Sequence, residues 1–75
     1  MPDGNPLFPI DVVETLNRNG ISLQEAERDF ERARDVETSE GGDIYRYGIL
    51  CIYRYRRQLV MGRPEAVVTR VWIVR

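Results

Sequence analysis

The chain has 75 residues, 43% of them apolar and 31% charged, which is enough for one small folded domain and too apolar for a disordered one. With no histidine and a single cysteine, it lacks the ligands of a conventional zinc, haem or iron–sulfur centre. A Ser-His or Cys-His nucleophile pair is excluded for the same reason, and no metal or other cofactor is expected.

The net charge of −1 hides a division along the chain. Residues 1–43 hold eleven acids and four arginines, whereas residues 44–75 hold one acid, Glu65, and seven arginines. Such a split marks either a partner surface or an acidic helix lying over a basic sheet. All eleven bases are arginine, which recognises phosphate and carboxylate in a planar, bidentate way, although GC-rich coding raises arginine whatever the function. The lone Cys51 has no partner for an intrachain disulfide, and Met1 to Pro9 lacks the basic start and apolar stretch of a signal peptide. The longest apolar run, Ile49 to Tyr53, is far short of a membrane span. The expectation is a cytoplasmic protein that does not enter a membrane.

Residues 1–7 hold prolines, a glycine and an asparagine and read as a flexible tail before a single domain over 8–75. A first helix is predicted from Pro9, with Ile10, Val13 and Leu16 on one face and Gly20 as a left-handed stop. Ser22 and Glu25 form a capping box at the start of a second helix, flanked by Ile21 and Ala26. Leu23, Ala26, Phe30 and Ala33 then recur at helical spacing, carrying the helix to about Val36.

After the polar loop Thr38 to Asp43, the chain reads as β. Ile44 to Tyr55 as one straight strand would span about 40 Å, so two strands or a sharp bend at Gly48 are expected. Arg56-Arg57 reads as a turn, Gln58 to Met61 as a short strand, Gly62 to Pro64 as a second turn, and Ala66 to Val74 as the strongest strand. The predicted fold is α+β, with two N-terminal helices packed on one face of a three- to four-stranded antiparallel sheet.

Two sets of residues are candidates for binding a partner. Arg54 and Arg56 share a strand face by parity, with Arg46 joining them if the strand is continuous, and Arg57 lies in the adjacent turn. Arginines beside tyrosines on a sheet suit a phosphate backbone and stacked bases, unless the tyrosines face the helices and the arginines cover the wet face. The second set is the acidic row Asp29, Glu31, Asp35, Glu37, Glu40 and Asp43, which either imitates nucleic-acid phosphates or forms a solvated helix face. Its spacing is not that of a calcium loop. Cys51 falls inside an apolar strand, where a thiol is inert.

Arg18, Gly20, Ile21, Ser22 and Glu25, set on two helices and followed by tyrosine-rich strands that close on Thr69 to Val74, resemble a family of small bacterial proteins grouped with barnase/RelE-like toxin folds. That resemblance implies a metal-independent endoribonuclease, for which Arg54, Arg56, Arg70, Tyr53 and Tyr55 are the groups to test. The histidine common in the family's first helix is absent here. The leading expectation is therefore a binding protein without catalytic residues. It would be a phage or mobile-element accessory protein, of the anti-CRISPR type, that inhibits a protein or nucleoprotein partner through its polarised charge. Nucleic acid on the arginine face, a ribonuclease toxin, and a homodimer built on Val71 to Val74 are the alternatives.

Overall fold

In a computed structural model, which describes residues 6–74, helix α1 spans Ile10–Arg18 and helix α2 spans Leu23–Arg32. Pro9 stands just outside α1 as its extended N-cap. Gly20 adopts φ 76°, and the Ile21 N–H returns to the Leu16 carbonyl at 2.9 Å, closing the first helix as its sequence predicts. The capping box of α2 forms in full. The Glu25 N–H donates to Ser22 Oγ and the Ser22 N–H to Glu25 Oε1, both at 3.1 Å.

Helix α2 stops sooner than its periodicity predicts. Ala33 is already extended, and Arg34–Thr38 forms strand β1. Strands β2 (Ile44–Tyr47), β3 (Cys51–Val60) and β4 (Arg63–Ile73) follow. They form one antiparallel sheet in the order β1-β2-β3-β4, with both helices on one face. The α+β class is as predicted, but two strands differ from their sequence reading. The segment expected to end the helix is an edge strand, because its partner in β2 offers backbone pairing that an isolated helix end lacks. Arg56-Arg57 does not turn either, since the β3–β4 ladder continues from Cys51↔Ile73 out to Val60↔Arg63.

The core lies between helices and sheet. Val12, Leu16, Ile21, Ala26 and Phe30 from the helical half meet Cys51, Tyr53, Tyr55, Val68 and Val71 from the sheet. Phe30 packs edge-on against both tyrosine rings, with centroids 5.4 Å from Tyr53 and 5.0 Å from Tyr55. Leu7, expected in the tail, is docked instead. It bridges Val67 in parallel, with its N–H on the Ala66 carbonyl at 2.8 Å and its carbonyl accepting from Val68 at 2.9 Å. Residues 1–5 of that tail lie outside the described residues. No helix among the described residues is long and apolar enough to cross a membrane.

Candidate functional site

Strand parity decides which side chains are free to act. In β3, Cys51, Tyr53 and Tyr55 point to the helices, so Ile52, Arg54 and Arg56 take the opposite, uncovered face. Chain reversal at Gly48–Leu50 breaks parity between β2 and β3, so the expected grouping of the tyrosines and arginines changes. Arg46 is opposite Tyr53 and lies on the helix side, whereas Tyr45 and Tyr47 are opposite Arg54 and Ile52 on the uncovered side.

Two cross-strand rows organise that uncovered face. Arg34, Tyr47, Ile52 and Trp72 make the first, and Glu37, Tyr45, Arg54 and Arg70 the second. The rings of Tyr45 and Trp72 lie 6.1 Å apart, tilted by 31°, and the Arg70 guanidinium sits 5.0 Å from the Trp72 ring centre. Arg54 Nε donates to Thr69 Oγ1 at 3.0 Å, and Thr69 in turn donates to the Arg54 carbonyl at 3.1 Å. Thr69 sits at the bulge of β4, between Arg70 and Val68, the partners of Arg54 and Tyr55. Arg54 and Arg70 are thus directly opposed like charges, and among the described residues neither forms an ion pair. Opposed like charges destabilise a sheet. The contacts with Thr69 and Trp72 hold the two guanidinium groups in place without neutralising either charge.

Arg46, Arg56, Asp35 and Asp43 are engaged internally. Arg46 donates from Nε to Asp35 Oδ1 at 2.9 Å, from Nη1 to the Phe30 carbonyl at 3.0 Å and from Nη2 to Tyr55 Oη at 3.1 Å. Its guanidinium lies 4.2 Å from the Phe30 ring centre and 4.9 Å from that of Tyr55. Arg56 pairs with Asp43 at 2.9 Å, and Arg57 lies on the helix side, 5.9 Å from the Tyr55 ring centre. Both salt bridges join the acidic half to the basic half, so part of the charge division is settled within the fold.

The acidic row does not form a surface. Asp29 is turned inward and 5% exposed. Its carboxylate accepts the Ile49, Leu50 and Cys51 N–H groups at 2.9, 3.0 and 3.4 Å, and the Tyr53 hydroxyl at 2.8 Å. Sequence reasoning had a signal for this. Asp29 sits three residues after Ala26 and four before Ala33, on the apolar stripe of α2. Asp35 and Asp43 are paired, and Glu37 stands on the arginine face, which leaves Glu31 and Glu40 as exposed acids apart from it.

Tyr53 and Tyr55 are buried on the opposite side of the sheet from Arg54, Arg56 and Arg70. The residues named for a ribonuclease therefore do not converge on one phosphate. Burial pushes both phenol pKa values up, and the hydrogen bonds to Asp29 and Asp35 push them further, so both hydroxyls remain protonated donors.

Burial tends to raise the Asp35 carboxyl. The hydrogen bonds from Tyr55 and Arg46, with the charges of Arg46 and Arg57, outweigh it and hold the group below its ordinary value. A depressed folded-state pKa adds stability that is complete above the unfolded value near 4 and is lost as pH falls through the folded value. With Asp35 about half exposed, Asp35→Asn should cost about 0.5–1 kcal/mol at pH 7. Its urea midpoint should converge on that of the parent as the pH falls through the lowered folded-state value of Asp35.

No protein family, curated protein or solved structure matches the chain.

Proposed function

We propose that the protein binds single-stranded nucleic acid on the uncovered sheet face, without turnover. The observation that carries this reading is the joining of Tyr45, Tyr47 and Trp72 to Arg34, Arg54 and Arg70 in two adjacent rows on the one face that the helices leave open. Flat rings accept bases by stacking whatever their sequence, and arginines with no ion pair among the described residues accept the phosphates. The unneutralised Arg54–Arg70 pair gains from a bound phosphate what it lacks in the free protein. An inhibitor that fills a basic groove with its acids has less support, because Asp29, Asp35 and Asp43 already serve the fold.

Trp72 is the only tryptophan, so its own fluorescence reports occupancy of the site. Titration with oligouridine and oligothymidine 12-mers should quench it, and the oligonucleotides should be recovered intact. Trp72→Ala, read by anisotropy of labelled oligonucleotide, should weaken binding by about 5- to 150-fold, the range of one lost base–ring stack, whereas Trp72→Phe should keep most of the affinity. If Arg34, Arg54 and Arg70 each meet a phosphate, log affinity should fall against log salt with a slope of about −2. Unchanged fluorescence and anisotropy at low ionic strength would rule the reading out.

A further inference from the structure

The β3–β4 ladder runs on past the core as a ribbon, pairing Arg57 with Ala66, Leu59 with Pro64 and Val60 with Arg63. Its loop is the two residues Met61 and Gly62, with φ 54° and 82°. A two-residue hairpin loop with both φ positive favours Asn or Asp before Gly, since an ordinary side chain is disfavoured there. Here the position holds methionine, and that methionine is 98% exposed. Leu59 beside it is 74% exposed. Neither the turn geometry nor burial accounts for an apolar side chain at this point.

The surroundings of the tip are basic. Arg57 and Arg63 flank it, Arg56 and Arg63 continue the face that carries Arg54, and Glu65 is the one acid on the ribbon. A cleft lined by Leu7, Val60, Met61, Arg63 and Glu65 opens beside the turn. An apolar point between cations suits a polyanion whose interior is apolar. Proteins that bend duplex DNA drive such a residue between base steps, and the stacked bases of a single strand offer the same kind of gap. A protein partner would more often meet a broad apolar patch, whereas here Leu59, Val60 and Met61 lie at the end of a two-stranded ribbon that carries Arg57 on one face and Arg63 on the other.

We propose that the β3–β4 ribbon is an arm whose Met61 enters a base step of the bound strand, with Arg57 and Arg63 on the adjoining phosphates. This inference rests on the nucleic-acid reading above and adds a second point of contact. From Trp72, across from Ile52, to the turn is about 26 Å at 3.3 Å per strand residue. At about 3.4 Å per stacked nucleotide, that distance corresponds to about eight nucleotides, so a 12-mer reaches both points and a 4-mer does not.

The test uses an oligoadenylate 12-mer carrying one 2-aminopurine, moved along the sequence, whose fluorescence rises when its neighbours unstack. Wild type should quench Trp72 and brighten the 2-aminopurine. Met61→Asn, which suits the turn better, should raise the thermal midpoint and keep the Trp72 quench at saturation. It should also abolish the 2-aminopurine signal and weaken the 12-mer several-fold but not the 4-mer. Trp72 quenching with no 2-aminopurine change in wild type would overturn the arm while leaving the face reading intact. Brightening without quenching would keep the arm and remove the face, and neither signal would remove both. A dimer in sedimentation equilibrium that Met61→Asn dissociates would assign the tip to a second copy and overturn the proposal.

Discussion

Replacing Asp29 with alanine is expected to remove about 4 kcal/mol of folding stability, a large share of the ~4–11 kcal/mol that a domain of this length holds. The carboxylate is the common acceptor of three successive backbone N–H groups and the Tyr53 hydroxyl, and all of these lose it, the Cys51 N–H and the Tyr53 hydroxyl in a place water reaches poorly. Hydrogen bonds to a charged group are worth more than neutral ones, and stranded donors add their own desolvation cost. Asn in its place restores one acceptor but turns an NH2 toward N–H donors, so Asp29→Asn should recover only part of the loss. The same contact explains Gly48. A Cβ there would stand 2.7 Å from Asp29 Cγ, so Gly48→Ala must displace the carboxylate and should cost about 2–3 kcal/mol. In an Asp29→Ala background that obstruction is gone, and the added cost of Gly48→Ala should fall below about 1 kcal/mol. Urea unfolding of the four proteins measures the cycle. Additive losses would show that Gly48 is required for some reason other than Asp29.

What could be read from the sequence was what is settled locally. The capping box at Ser22 and Glu25 and the left-handed Gly20 depend on residues within a turn of one another, and they formed as expected. Strand β1 was hidden because Arg34–Thr38 carries a helix-like continuation, and its strand state is set by Ile44–Tyr47, about ten residues on. The extended β3–β4 ribbon was hidden for the opposite reason. Arg56-Arg57 looks like a polar interruption, yet a ladder already under way carries charged residues outward once the helices no longer cover it. The site was harder to read because the face of Arg46 depended on what the chain does at Gly48. Parity places Arg46 with Arg54 only in a continuous strand, and the turn that Asp29 holds puts them on opposite faces of the sheet.

That difference in face predicts opposite behaviour from residues of the same type. Arg46→Met keeps the apolar stem over Phe30 and Tyr55 but loses the hydrogen bonds to Asp35, the Phe30 carbonyl and Tyr55, together with the cation over two rings. The expected cost is about 2–3 kcal/mol. Arg46→Lys should recover less than half, because one ammonium cannot reproduce three donors held in a plane. Paired with Asp35→Ala, the cycle should show about 1 kcal/mol of coupling. The fraction that remains folded should bind oligonucleotide with unchanged affinity, since Arg46 never reaches the open face. Arg70→Ala should do the reverse. Arg54 loses a like-charged neighbour while Trp72 loses the cation over its ring, so stability should change by less than about 0.5 kcal/mol, while affinity and the salt slope both fall. Urea midpoints plotted against affinity for the two variants separate the arginine that builds the fold from the one that meets a ligand. Equal loss of affinity in both, measured on folded protein, would mean that the open sheet face is not where the nucleic acid lies.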